Sequence, residues 1–174
     1  MSIEWAKNFD IEKFSEFNPQ EFIGFEKIVD IGSACYNVPK VAGVYMVLLP
    51  IPNATVQPSF CIPGRGAVAN KVNPQRIETL QDRWVQGTRI IYIGKAGGQQ
   101  YKTTLKERLQ AYMRYGNDIK ASHRGGRSIW QLENIDECLV AWRVAPEDPK
   151  GCESVLLKRF KDVYGRLPFA NRQG

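Results

Sequence analysis

The sequence predicts an α/β fold. Three short apolar runs have the composition of β-strands, at residues 44–49, 90–93 and 138–145. Two other stretches carry a helical stripe. From Thr104 onward, Leu105, Leu109, Tyr112 and Met113 recur at the spacing of one helix face, and from residue 151 to 164 the stripe is Leu156, Leu157, Phe160, Val163 and Tyr164. A chain of 174 residues that is 43% apolar suits one domain, 1–174, with its own core, and excludes wholesale disorder.

The first 38 residues read as an acidic-aromatic helical layer. Asn18-Pro19 has the form of a helix start with Glu21 early, and it would place Phe22, Phe25 and Val29 on one face. Pro39 then marks a loop before the strand at 44–49. The connection from 50 to 87 is long for a compact domain, a feature typical of functional or moving segments. It opens with Pro50, Pro52, Pro58 and Pro63 and has a hinge-like Gly64-Arg65-Gly66. A helix is expected at 74–86, with Ile77, Leu80, Trp84 and Val85 on one side and Arg76 and Arg83 elsewhere.

The strand at 90–93 ends at Gly94, and Lys95 and a Gly97-Gly98 pair follow. Arg108 lies on the core-facing stripe of the next helix, where a guanidinium is costly unless something anionic meets it. A strand, a glycine-rich turn with a lysine, and a helix with an inward arginine together suit a phosphate. After the third strand, Pro146 to Pro149 makes a turn, and Gly165 suits the C′ position of the last helix. Glu153 extends that helix's apolar stripe toward its N-terminus. An acid there complements the macrodipole, but one aimed along an apolar face needs a proton, a cation or a metal.

Charge is unevenly placed. Residues 95–127 hold eight basic side chains against two acidic ones, which is the whole +6 excess of the chain. A polyanion is the natural partner of such a segment. Within it, Lys102, Lys106, Arg114, His123, Arg124 and Arg127 are the candidate nucleic-acid contacts. His123, the only histidine, is outside the catalytic set. Cys35, Cys61, Cys138 and Cys152 show no CxxC pairing, which argues for reduced thiols over a zinc site. No apolar run is long enough for a bilayer and no signal pattern opens the chain, so the expectation is a cytoplasmic protein without a membrane partner. Trp130 and Trp142 adjoin expected sheet and read as core.

Gly43-Val44-Tyr45 and Tyr92-Ile93-Gly94, followed by Lys95 and the helix TLKERLQAY, resemble the GIY-YIG nucleases. Glu153 and Asn171 match, in order and setting, that family's metal-binding glutamate and C-terminal asparagine. The resemblance covers residues 39–171 except for the insertion at 50–87. It implies a small antiparallel sheet of three central strands flanked by helices, a fold that closes without the insertion. It also implies metal-dependent hydrolysis of a DNA phosphodiester, with double-stranded DNA as partner and a homodimer left open. Glu153 would hold one Mg²⁺ or Mn²⁺, and Arg108 would neutralise the phosphate. Tyr92, in preference to Tyr45, would accept the proton of the attacking water, with Lys95 lowering its pKa. Tyr112 would assist from one turn along the helix. The chain departs from the pattern in one respect: 46 residues separate Tyr45 from Tyr92, which puts their pairing in question. A binding module without turnover and a partner-binding scaffold are the other readings.

Overall fold

The computed structural model describes residues 3–15, 22–50, 58–62, 64, 74–98, 102–117 and 127–172. Four strands, β1 (Ile23–Lys27), β2 (Gly43–Leu48), β3 (Ile90–Ala96) and β4 (Leu139–Val144), form one antiparallel sheet in the order β1-β4-β2-β3. The helices are α1 (Glu4–Asn8), α2 (Ile11–Ser15), α3 (Ile28–Ile31), α4 (Ile77–Arg83), α5 (Leu105–Gly116) and α6 (Pro149–Tyr164). Among the described residues, no helix is long and apolar enough to cross a membrane.

Every residue of β2 is buried, as expected of a central strand that reads apolar throughout. Its side chains alternate between two cores. Tyr45 and Val47 join Leu105, Leu109, Tyr112 and Met113 of α5, whereas Val44, Met46 and Leu48 join Cys152, Leu156, Leu157 and Phe160 of α6. The two long helices therefore cover opposite faces of the sheet. The 46 intervening residues do not prevent β2 and β3 from pairing, with Tyr45 opposite Gly94. That pairing needs a glycine: a Cβ at position 94 would lie 2.7 Å from Tyr45 Cζ and 2.8 Å from Tyr92 Cε1.

The sheet has four strands, one more than expected. The stretch from Phe22 to Val29, expected to lie along one helix, is instead β1 followed by the single turn α3. Phe22 is buried but Val29 is 55% exposed, so they do not share a buried face. Gly24 at φ 96° and Phe25 at φ 54° interrupt any helix and shift the β1–β4 register between Gly24 and Glu26. A Cβ on Gly24 would meet the Trp142 ring at 2.3 Å, so the indole packs directly on the backbone. The Asn18-Pro19 start lies outside the described residues.

The insertion differs from expectation in a second way. Its helix is shorter, Ile77–Arg83, and its apolar face is part of the domain's own core. Leu80 and Trp84 are buried in the core on the α5 side with Ile77 packed against it, whereas Val85 is buried in the core on the α6 side. The Trp84 indole meets Phe169 edge-on at 5.2 Å, and Phe60 stacks on Phe169 at 5.7 Å. This corrects the expectation of a core that closes without the insertion, since Phe60, Leu80 and Trp84 belong to it. Most of its proline-rich first half and Arg65-Gly66 lie outside the described residues.

Helix α6 begins two residues earlier than expected. Pro149 takes its first position, and the Asp148 carboxylate caps it by accepting from Gly151 N at 2.8 Å. Gly165 ends it with φ 73°, as expected of C′. Val163 is 44% exposed and leaves the stripe assigned to it. Trp130 and Trp142 are both buried, as expected of core.

Candidate active site

Helix α5 is started by a capping box. Thr104 Oγ1 accepts from Glu107 N at 3.3 Å, and Glu107 Oε2 accepts from Thr104 N at 2.7 Å. These bonds hold the Glu107 carboxyl below its usual range. The remaining N–H groups of the first turn are also engaged. Leu105 N donates to Val41 O at 2.8 Å, Lys106 N to Pro39 O at 3.2 Å and Arg108 N to Thr104 O at 2.9 Å. The helix start is thus not the anion site that the glycine-rich turn suggests. An anion here meets side chains instead.

Arg108 leaves α5 toward the sheet. Its Nε and the Tyr45 hydroxyl are buried, and neither has a hydrogen-bond partner of ordinary geometry among the described residues. Burial works to lower the guanidinium, but Tyr45, Tyr92 and Glu153 outweigh it and hold it above its usual range. Behind Arg108 stand three tyrosines. The Tyr45 and Tyr92 rings lie 5.8 Å apart, and Tyr92 is nearly parallel to Tyr112 at 6.4 Å. Desolvation raises all three phenols, Tyr92 and Tyr112 well above the usual value of 10.0. Arg108 is the strongest influence opposing that rise at Tyr45.

Glu153 arrives from the other face of the sheet, on α6. Burial raises its carboxyl, and Lys95 and then Arg108 pull it down without cancelling the rise. Lys95 comes from β3, with Nζ 3.8 Å from Glu153 Oε2. The three charged groups surround a cleft of about 230 Å³, completed by Ala96, Gly97 and Thr103. β3 is the outermost strand of the sheet, so helices on opposite faces can both reach around its end.

The other named residues fall elsewhere. Tyr45 and Tyr92 sit behind Arg108 rather than on the cleft wall, and Tyr112 lies deeper, fully buried. Tyr92 is acted on by Tyr45, Arg108 and Glu153, whereas Lys95 pairs with Glu153. Asn171 is outside the cleft. Its Oδ1 accepts from Ile93 N at 3.0 Å and its Nδ2 donates to Ile93 O at 2.8 Å, so its amide binds the backbone of the second motif. Lys102 is exposed beside Thr103. Lys106 turns away to Tyr36, with Nζ 3.5 Å from its carbonyl and 5.8 Å from its ring centroid. Arg114 is exposed and acts on Cys35, on the Lys106 side of α5. Arg127 opens a 3₁₀ turn (Arg127–Gln131) next to Tyr115. His123 and Arg124 lie outside the described residues. Thr103 was not singled out from sequence; its position just before a capping threonine is a weak signal.

Among the described residues, no group of three or more His, Cys, Asp or Glu side chains gathers to hold a metal. A protein-only cage for a divalent ion is therefore not what Glu153 offers. Magnesium commonly uses one or two carboxylates and completes its shell with water and substrate phosphate. One desolvated carboxylate fits that second arrangement. Compared with known protein families, with characterised proteins and with solved structures, the chain matches none.

Proposed function

We propose that the chain is a metal-dependent nuclease of the GIY-YIG type that hydrolyses a DNA phosphodiester. One observation carries the reading: Lys95, Arg108 and Glu153, from a strand and two helices far apart in sequence, line a single cleft. A buried guanidinium without a hydrogen bond at Nε and a desolvated carboxylate complement a phosphate with its counter-ion. The antiparallel pairing of Tyr45 and Tyr92 strands also agrees with the resemblance.

In this reading Arg108 approaches the phosphate with a fixed fork and meets the charge that peaks during displacement. Glu153 holds the divalent ion, Mg²⁺ or Mn²⁺, which when bound supplies Lewis-acid stabilisation of the leaving oxygen. Lys95, on the same cleft wall, would offer its ammonium to a phosphate oxygen of the substrate. A phenol that takes a proton from water must first lose its own, and desolvation opposes this at Tyr92. The charge of Arg108 works in the opposite direction at both tyrosines. Tyr45 therefore deserves equal standing with Tyr92 as proton acceptor.

The protonated tyrosines favour one alternative, a DNA-binding module of the same fold without turnover. Nicking of supercoiled plasmid in Mg²⁺, with and without EDTA, beside a gel shift separates the two. Metal-dependent nicking supports the nuclease. A shifted band without nicking supports the binding module. Neither signal leaves a partner-binding scaffold.

A further inference from the structure

A second basic hollow lies where the insertion meets the C-terminal tail. Arg83, Lys161 and Arg166 line it with Asn171, over a floor of Leu167, Pro168 and Phe169, in a volume of about 310 Å³. No carboxylate lines it, and none of the three cations forms an ion pair among the described residues. Two of them are held in place. Arg166 Nη1 donates to Asp82 O at 2.7 Å and to Trp84 O at 3.3 Å, and Arg83 Nη1 donates to Gln75 Oε1 at 3.1 Å. Arg172, next along the tail, is pushed below its usual range by burial and by the charges of Arg127 and Arg83. Like charges gathered without a counter-charge are unfavourable in the free protein and call for an anion.

Its position relates it to the cleft. Lys161 lies eight residues beyond Glu153 on α6, about 12 Å along the helix and equivalent to the rise of between three and four base pairs. Asn171 on its wall binds Ile93, two residues before Lys95. The Phe169 ring is 2% exposed and packed on Phe60 and Trp84, so no ring face is offered to stack a base. The chemistry is that of phosphate recognition without base readout.

We infer that this hollow of Arg83, Lys161 and Arg166, followed along the tail by Arg172, is a second phosphate site that holds the nucleic-acid backbone a few nucleotides from the scissile bond. The inference rests on the nuclease reading. It gives the insertion a role in substrate grip through Arg83, and it is independent of sequence.

The test uses the full chain with Lys161→Gln and Arg172→Gln combined, two exposed positions outside the cleft, and Lys161→Glu as a second variant. Binding of a duplex long enough to cover both sites is followed by fluorescence anisotropy over a salt series. The double variant should flatten the slope of log K against log salt by about two, and Lys161→Glu should weaken binding further. Nicking at saturating duplex should be unchanged in both. Unchanged slopes in a wild type that binds and nicks would overturn the second site and leave the nuclease reading standing. A wild type that neither binds nor nicks would overturn both. A thermal-melt titration with inorganic phosphate distinguishes a small-anion site. Protection by phosphate that matches the duplex, lost in the double variant, would overturn the backbone assignment.

Discussion

Lys95 Nζ and Glu153 Oε2 face each other at 3.8 Å across the mouth of the cleft, one from the outermost strand and one from the helix behind it. Each is the nearest compensation for the other until something else enters. Glu153→Gln should therefore abolish metal-dependent nicking while DNA binding is kept or tightened, because a like charge near phosphate is removed. Nicking in saturating Mg²⁺, beside anisotropy, measures both. Full activity in the variant would take the metal away from Glu153.

Arg108 is expected to matter for turnover more than for the fold. Its buried Nε has no hydrogen-bond partner among the described residues, but Tyr45, Tyr92 and Glu153 favour its charged form. Arg108→Met should lower nicking by about 100-fold or more, without raising the melting temperature of the free protein. Thermal melts and nicking rates on the same preparation test the pair of effects. Nicking at the wild-type rate would take the phosphate away from Arg108.

The buried acids predict alkaline instability. Desolvation pushes the Cys35 thiol up to about 11 and the Cys138 thiol up to about 12, from an ordinary 9.0. An acid with a raised folded pKa keeps its proton while the unfolded chain releases it. Stability therefore falls as pH rises from 9.0 toward about 12 for Cys138, by up to roughly 1.4 kcal/mol per pH unit for one such group. Melting temperatures of wild type and Cys138→Ala across pH 8 to 11 should show the shallower slope in the variant. Parallel slopes would mean that the thiol is accessible in the native state.

The insertion should not be removable as a block. Replacing residues 51–86 by a short Asn-Gly hairpin deletes Phe60, Leu80, Trp84 and Val85 from the core. That variant should lose cooperative unfolding. Trp84→Ala alone should cost about 3–5 kcal/mol, read by chemical denaturation. A cost below about 1 kcal/mol would return the segment to the periphery.

Much of the sheet was legible because β2, β3 and β4 are apolar runs bounded by turn residues. β1 was not, because its course depends on Gly24 and Phe25 at positive φ and on the Trp142 indole that arrives from β4. Arg108 and Glu153 stood out because each breaks an apolar stripe with a charge. What they meet was not legible, since the cleft brings α5, α6 and β3 together from opposite sides of the sheet. Asn171 was singled out for its order in the chain, yet its amide binds Ile93 rather than the cleft. Lys161, Arg166 and Arg172 carry no local signal: only the return of the tail past α4 gathers them.

The grip of Asn171 on Ile93 also bears on how copies of this chain can associate. Ala170 N donates to Ile91 O at 2.9 Å and the Asn171 amide occupies both backbone groups of Ile93, so the rim of β3 is already matched along that length. At the far rim, the irregularity between Gly24 and Glu26 spoils the repeat that an incoming strand would have to follow. Both borders of the sheet thus resist templated growth, one by occupation and one by distortion. Among the described residues, the Ile91–Ile93 length of β3 and the irregular stretch of β1 are therefore poor templates for an added strand.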